Sequence, residues 1–297
     1  MKITFLGTAA ATACPLVFCN CPMCAAGWNR KGKDFRRRSS ALIGEDMIID
    51  LGPDVMTAAF DFGTDIRKIR YWLQTHAHSD HFDAGHLITR WPDYASEGIE
   101  PLELVASRET IRHMSDRLSL EEPGASLEKT EWLERLKIRV HPVRHGETVR
   151  LGNRLVTAVE SLHDPQDDSL LYVIEEKEKA FLYATDTLQF TDKAMELLKK
   201  FRLDAMAIDH TYGPGVNGGG HLNADQAAEE IERLRSEGIL KPEGHAYATH
   251  ISHEGMPPHE ELTGFAREHG YEIAWDGLTV SFQEMSPTGM KAETRIL

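Results

Sequence analysis

The chain has 297 residues, 33 of them Lys or Arg and 47 Asp or Glu, for a formal charge of −14 with histidine neutral. That acidity disfavours a nucleic-acid backbone as the main partner, and no run approaches the roughly 18 apolar residues of a membrane span. With 41% hydrophobic and 27% charged residues the composition excludes a disordered or fibrous chain, and 15 histidines point toward metal or acid–base chemistry.

In chain order, the first strand is expected over residues 3–6, ending at Gly7. With only Lys2 as positive charge, and with Thr4, Gly7, Thr8 and Thr12 breaking the apolar run, this start reads poorly as a secretory signal; a cytoplasmic protein is expected. All four cysteines follow: Cys14, Cys19, Cys21 and Cys24. Cys19-x-Cys21-x-x-Cys24 suits thiolates wrapped around one ion, zinc above all, better than disulfides, and it needs a fourth ligand from elsewhere. Further strands are expected over 47–50, 71–74, 102–106, 138–141, 154–160, 170–174, 180–184, 205–209, 245–249, 272–275 and 278–282. Helices are expected over 53–60, 83–91, 109–118, 192–200, 224–236 and 259–269. Strands that alternate with helices in places and follow one another elsewhere argue for a layered α/β protein with mixed sheets. The charged stretch 121–135 reads as a solvated helix or loop face, and the Gly-rich loop 214–220 as a strand-to-helix connector of the kind that carries function.

The strongest signal is Thr75-His76-Ala77-His78-Ser79-Asp80-His81, directly after an apolar strand. Near-extended backbone would project His76, His78 and Asp80 to one side, with His81 turning toward a neighbouring point. So many ligands on one short loop cannot comfortably hold a single ion, so two adjacent ions are expected. The remaining ligands should come from other strand ends, where His163, Asp186 and His250 each follow an apolar run. His253, three residues beyond His250, can point toward the cysteines instead.

These residues resemble the metallo-β-lactamase fold hydrolases, whose signature is His-x-His-x-Asp-His after a strand. The resemblance covers nearly the whole chain and implies an α/β fold, an αββα sandwich of two mixed sheets with a dinuclear site at one edge. Carried over by motif, His76, His78 and His163 hold the first ion, Asp80, His81 and His250 the second, and Asp186 bridges them. Asp50, in Ile48-Ile-Asp-Leu-Gly, matches an acidic position behind the ligands. Within the superfamily the chain most resembles the phosphoribosyl cyclic phosphate phosphodiesterases of the carbon-phosphorus lyase pathway. Those enzymes share the Cys-x-Cys-x-x-Cys start and a Thr-His-x-x-His segment, which implies a structural zinc on Cys19, Cys21, Cys24 and His253. One domain over 1–297 is expected, with a zinc loop at about 14–38, and the resemblance implies a homodimer. The coenzyme pyrroloquinoline quinone synthesis protein B looks similar too, but tends to lose part of the histidine motif that this chain keeps.

The implied chemistry is phosphodiester hydrolysis with zinc or manganese at the dinuclear site. Two divalent ions bring +4, and Asp80, Asp186 and one hydroxide leave about +1 by formal count, so an acidic protein can still attract a small phosphodiester. A water acidified by the ions would attack phosphorus. His221, which opens a helix after the Gly-rich loop, is the candidate general acid, and Asp209 resembles the residue that orients such a histidine. Asp80 counts with these two among the catalytic groups. The expected partner is a small phosphodiester, not long nucleic acid and not a membrane. The alternatives are a non-catalytic binding or carrier protein like the quinone-synthesis relative, or a hydrolase of another ester or of RNA.

Overall fold

The computed structural model describes residues 1–94, 98–164 and 166–282. Its strands are β1 (Lys2–Gly7), β2 (Ser40–Ile43), β3 (Met47–Ile49), β4 (Tyr71–Leu73), β5 (Leu102–Ala106), β6 (Ile138–Pro142), β7 (Thr148–Leu151), β8 (Arg154–Glu160), β9 (Leu170–Glu176), β10 (Lys179–Ala184), β11 (Leu203–Asp209), β12 (Leu240–Thr249), β13 (Glu272–Ile273) and β14 (Thr279–Ser281). The α-helices are α1 (Pro22–Arg30), α2 (Val55–Asp61), α3 (Gly85–Ile88), α4 (Arg108–Glu121), α5 (Thr130–Leu136), α6 (Asp192–Leu198), α7 (Ala224–Ser236) and α8 (His259–Glu268). One seven-stranded sheet runs β14-β1-β2-β3-β4-β5-β6 and the other β13-β12-β11-β10-β9-β8-β7.

Strand alternation decides the layers. On β10 and β11, Phe181, Tyr183, Ala205 and Ala207 face the first sheet, where they meet Phe5, Ile43 and Ile49. Their neighbours Leu182, Ala184, Met206 and Ile208 turn outward onto Met195, Ile231 and Leu262 of α6, α7 and α8. On the other side Trp72 and Leu104 pack against Val55, Ile111, Met114 and Leu136 from α2, α4 and α5. Both sheets are thus buried on both faces, as an αββα sandwich requires. Among the described residues, no helix is long and apolar enough to cross a membrane.

Several elements depart from the sequence expectation. β2 and the edge strand β7 were not among the expected strands; β2 is buried at all four positions and so shows no alternation, while β7 is a short Thr-Val-Arg-Leu edge. α1 hides among the cysteines: Cys21 caps it, its sulfur accepting from Cys24 N–H, and Pro22 follows in the first turn. The charged stretch 121–135 is not merely solvated, because α5 buries Trp132 and Leu136, and Trp132 meets Trp91 edge-on at 4.7 Å. The helix expected over 83–91 shrinks to α3.

The arrangement gathers strand ends. β3, β4 and β5 are mutually parallel, as are β10, β11 and β12, so the segments leaving their C-terminal ends converge at one rim. Leu170 N–H donates to Thr75 O at 3.0 Å and the Tyr172 hydroxyl to Gln74 O at 2.7 Å, tying the two rims together.

Candidate metal centre

Gln74 to Phe82 leaves β4 as irregular chain and turns sharply, with His81 and Phe82 N–H both donating to His78 O, at 3.0 and 2.9 Å. The period-two projection expected for His76, His78 and Asp80 is therefore broken after His78, and the turn carries Asp80 and His81 to a different group. His76, His78, His163 and Asp186 form one cluster; Asp80, His81, Asp186 and His250 form a second, with ligand atoms within 4.8 Å in each. Asp186 belongs to both. Its Oδ2 lies 3.1 Å from His76 Nε2, 3.0 Å from His81 Nε2 and 3.6 Å from His163 Nε2, and its Oδ1 lies 2.6 Å from His250 Nε2. Asp80 Oδ2 is 3.1 Å from His81 Nε2 and 3.6 Å from His250 Nε2.

These separations fit divalent ions: donors about 2.0–2.1 Å from a tetrahedral centre lie roughly 3.3 Å apart. His76 Nε2, His81 Nε2, His250 Nε2 and Asp186 Oδ1 are buried and make no hydrogen bond, an arrangement a fold does not leave without a ligand to satisfy it. Each imidazole is held from behind. His81 Nδ1 donates to Asp50 Oδ2 at 2.7 Å, His163 Nδ1 to Gly220 O at 3.0 Å and His250 Nδ1 to Thr211 Oγ1 at 2.8 Å, while His76 Nδ1 sits 3.0 Å from Thr75 Oγ1. Asp50, Asp186 and His250 have φ of 61°, 52° and 60°, left-handed backbone just past β3, β10 and β12. Such conformations are uncommon for residues other than glycine, least so for Asn, Asp and His, and they cluster at functional sites.

Electrostatics of the protein groups point the same way. Burial, reinforced by His81, pushes His76 down to about 3. Burial opposes charge on His250 too, but Asp186 beside it outweighs this and lifts the ring to about 10. Asp80 is held well below the usual carboxylate range, burial being overcome by His81 and His250. The carboxylates thus draw positive charge into a buried space.

His221 borders both clusters, its ring 4.5 Å from that of His163 and stacked at 5.1 Å on that of His250. Its Nδ1 lies 2.8 Å from Asp209 Oδ2 at the end of β11. The start of α7 is fixed by a capping box between Asn223 and Gln226, which anchors His221 two residues ahead of the cap. His210 lies elsewhere, buried against the Tyr271 hydroxyl at 2.9 Å.

The thiol-rich group is separate from these. Cys19, Cys21, Cys24 and His253 cluster, with His253 Nδ1 3.5 Å from Cys19 Sγ and 3.4 Å from Cys21 Sγ. Tetrahedral zinc with mixed S and N ligands spaces them by about 3.5 Å. Burial opposes a Cys21 thiolate, but the Cys24 N–H and His253 outweigh it and hold it at about 6. Cys14 is buried apart from them, and burial pushes it up to about 11.

The sequence profile of the β-lactamase superfamily domain matches residues 46–251. The chain belongs to that family. Among solved β-lactamase-superfamily structures similar to it is a diphosphatase from the PhnP family, 26% identical over 95% of this chain and 98% of that one, with a TM-score of 0.70. Zn(2+)-bound PqqB from Methylobacterium extorquens is 19% identical over 95% and 100% of the two chains, with a TM-score of 0.69. The human short-form tRNase Z is 17% identical over 96% and 100%, with a TM-score of 0.64, and like PqqB shares the fold. No curated protein matches at a significant level. The protein is thus a metallo-β-lactamase fold hydrolase by family. Sequence reasoning did not single out Thr75, Thr211, Gly220 or Asp164 behind the histidines, since each carries no motif beyond adjacency to a ligand or a glycine run.

Proposed function

We propose that the protein is a dinuclear metal-dependent phosphodiesterase acting on a small phosphodiester, with His221 as general acid. His76, His78 and His163 would hold one divalent ion and Asp80, His81 and His250 the other, with Asp186 shared. Zinc or manganese suits these donors. Such ions supply Lewis acidity toward phosphoryl oxygens and a water acidified toward neutral pH. The observation that carries the reading is His221 beside both clusters with Asp209 on Nδ1, which leaves Nε2 as the atom able to pass a proton to a departing oxygen. Cys19, Cys21, Cys24 and His253 would hold a structural zinc in a loop at about 14–38, within one catalytic domain. The charge of −14 supports a small substrate over long RNA.

The likeness to a diphosphatase favours a second reading, a phosphoanhydride substrate whose leaving phosphate needs less protonation. His221→Ala separates the two. With an alkoxide-leaving phosphodiester the loss should be roughly 100- to 10,000-fold. A wild type that cleaves only diphosphate linkages would favour the anhydride reading, and one inert to both with metal bound would sink the enzyme reading.

A further inference from the structure

His78 differs from the other histidines of its cluster in the nitrogen it turns inward. Its Nδ1 lies 3.2 Å from His163 Nε2, on the cluster side, while its Nε2 faces outward to Asp164 Oδ2 at 3.1 Å. His78 is also the least enclosed of the set, with 42% of its side chain exposed against 0% for His76 and 9% for His163, so packing alone does not hold the ring.

Asp164 is itself fixed. Its Oδ1 accepts from Gln166 N–H at 2.8 Å, and its carbonyl accepts from the Ser169 hydroxyl at 3.3 Å. Nearby, the buried Asp167 carboxylate accepts from the N–H of Ala77, the residue between His76 and His78, and its carbonyl accepts from the Ser107 and Thr110 hydroxyls, each at 3.0 Å. One acidic segment therefore grips the histidine loop twice, once on its backbone and once on His78.

We infer that Asp164 is a positioning residue that fixes the tautomer of His78, holding the proton on Nε2 so that the Nδ1 lone pair faces the cluster. This rests on the metal reading proposed above. The bare alternative is that Asp164 only shapes the turn through Gln166. The two differ in a way that substitution exposes. In Asp164→Asn the amide oxygen can keep the Gln166 bond, which turns the NH2 toward His78 Nε2. Two donors then face each other, and His78 relieves this by moving its proton to Nδ1, which removes the lone pair an ion needs. In Asp164→Ala the turn bond is lost, but the ring is 42% exposed, so water entering the vacated space can accept from Nε2–H and the tautomer survives.

The test is cobalt(II) titration of the metal-depleted full-length chain, with visible d–d bands reporting the His and Asp groups and the near-ultraviolet thiolate band reporting the cysteine group and an intact fold. Tautomer control predicts that Asp164→Asn weakens one of the two His/Asp ions by roughly 100-fold and Asp164→Ala by no more than about tenfold. Asp164→Ala losing more than Asp164→Asn, or both variants binding like wild type, overturns the inference while leaving the metal reading intact. A wild type that fills only the cysteine group overturns both.

Discussion

Replacing Asp209 by Asn changes one carboxylate oxygen beneath His221 to an amide NH2 and removes the negative charge, at nearly unchanged shape. Asp209 is fully buried, and its Oδ1 accepts from Thr211 N–H at 3.0 Å and the Thr211 hydroxyl at 2.8 Å. Its Oδ2 accepts from His221 Nδ1 at 2.8 Å and Thr187 N–H at 3.1 Å. An asparagine that keeps its oxygen on Thr211 must aim its NH2 at two donors. His221 can accept from that NH2 only with its proton on Nε2, and a neutral ring in that form is too weak an acid to protonate a leaving alkoxide. The acid contribution, about 100- to 10,000-fold, corresponds to about 2.7–5.5 kcal/mol on the barrier. The unpaired Thr187 N–H adds a separate stability loss of about 1–3 kcal/mol, so rates are compared well below the variant's melting temperature. The assay is kcat/KM for phosphodiesters whose leaving groups run from nitrophenolate to simple alkoxides. Nitrophenolate, which needs no acid, should lose less than about tenfold, and alkoxides the full factor. Equal losses across the series would refute the assignment of Asp209 to proton delivery.

Two further outcomes follow from buried groups. Asp50→Ala removes the acceptor from His81 Nδ1 and Thr75 N–H, at 2.7 and 2.8 Å, takes one partner from the Thr75 hydroxyl and the Gln74 amide, which keep others, and places alanine at a φ of 61°. Two orphaned donors at about 1–3 kcal/mol each, partly offset by relief of the buried carboxylate, should lower stability by several kcal/mol in urea unfolding, with Asp50→Asn losing less because Asn tolerates that backbone. Burial holds His210 down at about 4, so the unfolded chain takes up its proton first on acidification. Stability should therefore fall between pH 6.5 and 4 by up to about 3 kcal/mol from (6.5 − 4) × 1.36, and His210→Phe should flatten that window in thermal melts; an unchanged slope would show that other groups set it.

The histidine motif was legible because four of its side chains fall within six residues, and the strand-end residues His163, Asp186 and His250 because each closes an apolar run. The division of that motif between two clusters was not legible from its own spacing, since it depends on the turn from His78 to His81 that breaks the extended geometry. Resemblance supplied it. Strand β2 escaped because it is buried at every position and so shows no alternation, and α1 because its cap and first turn use the residues that read as ligands, whereas the Thr-Val-Arg-Leu alternation of the edge strand β7 was there to be read. What stands behind the ligands was the least legible. Thr211 reaches His250 across 39 positions and Gly220 reaches His163 across 57, contacts made only when separate strand ends meet.

The central claim is that three ion groups exist and that two share Asp186. The most direct measurement is metal content per chain by mass spectrometry, with phosphodiester turnover, for wild type and Asp186→Ala. The account predicts about three ions and turnover in wild type, and fewer than three ions without turnover in Asp186→Ala, the cysteine ion being kept. An Asp186→Ala protein that keeps all three ions, or that turns over phosphodiester at the wild-type rate, would contradict it.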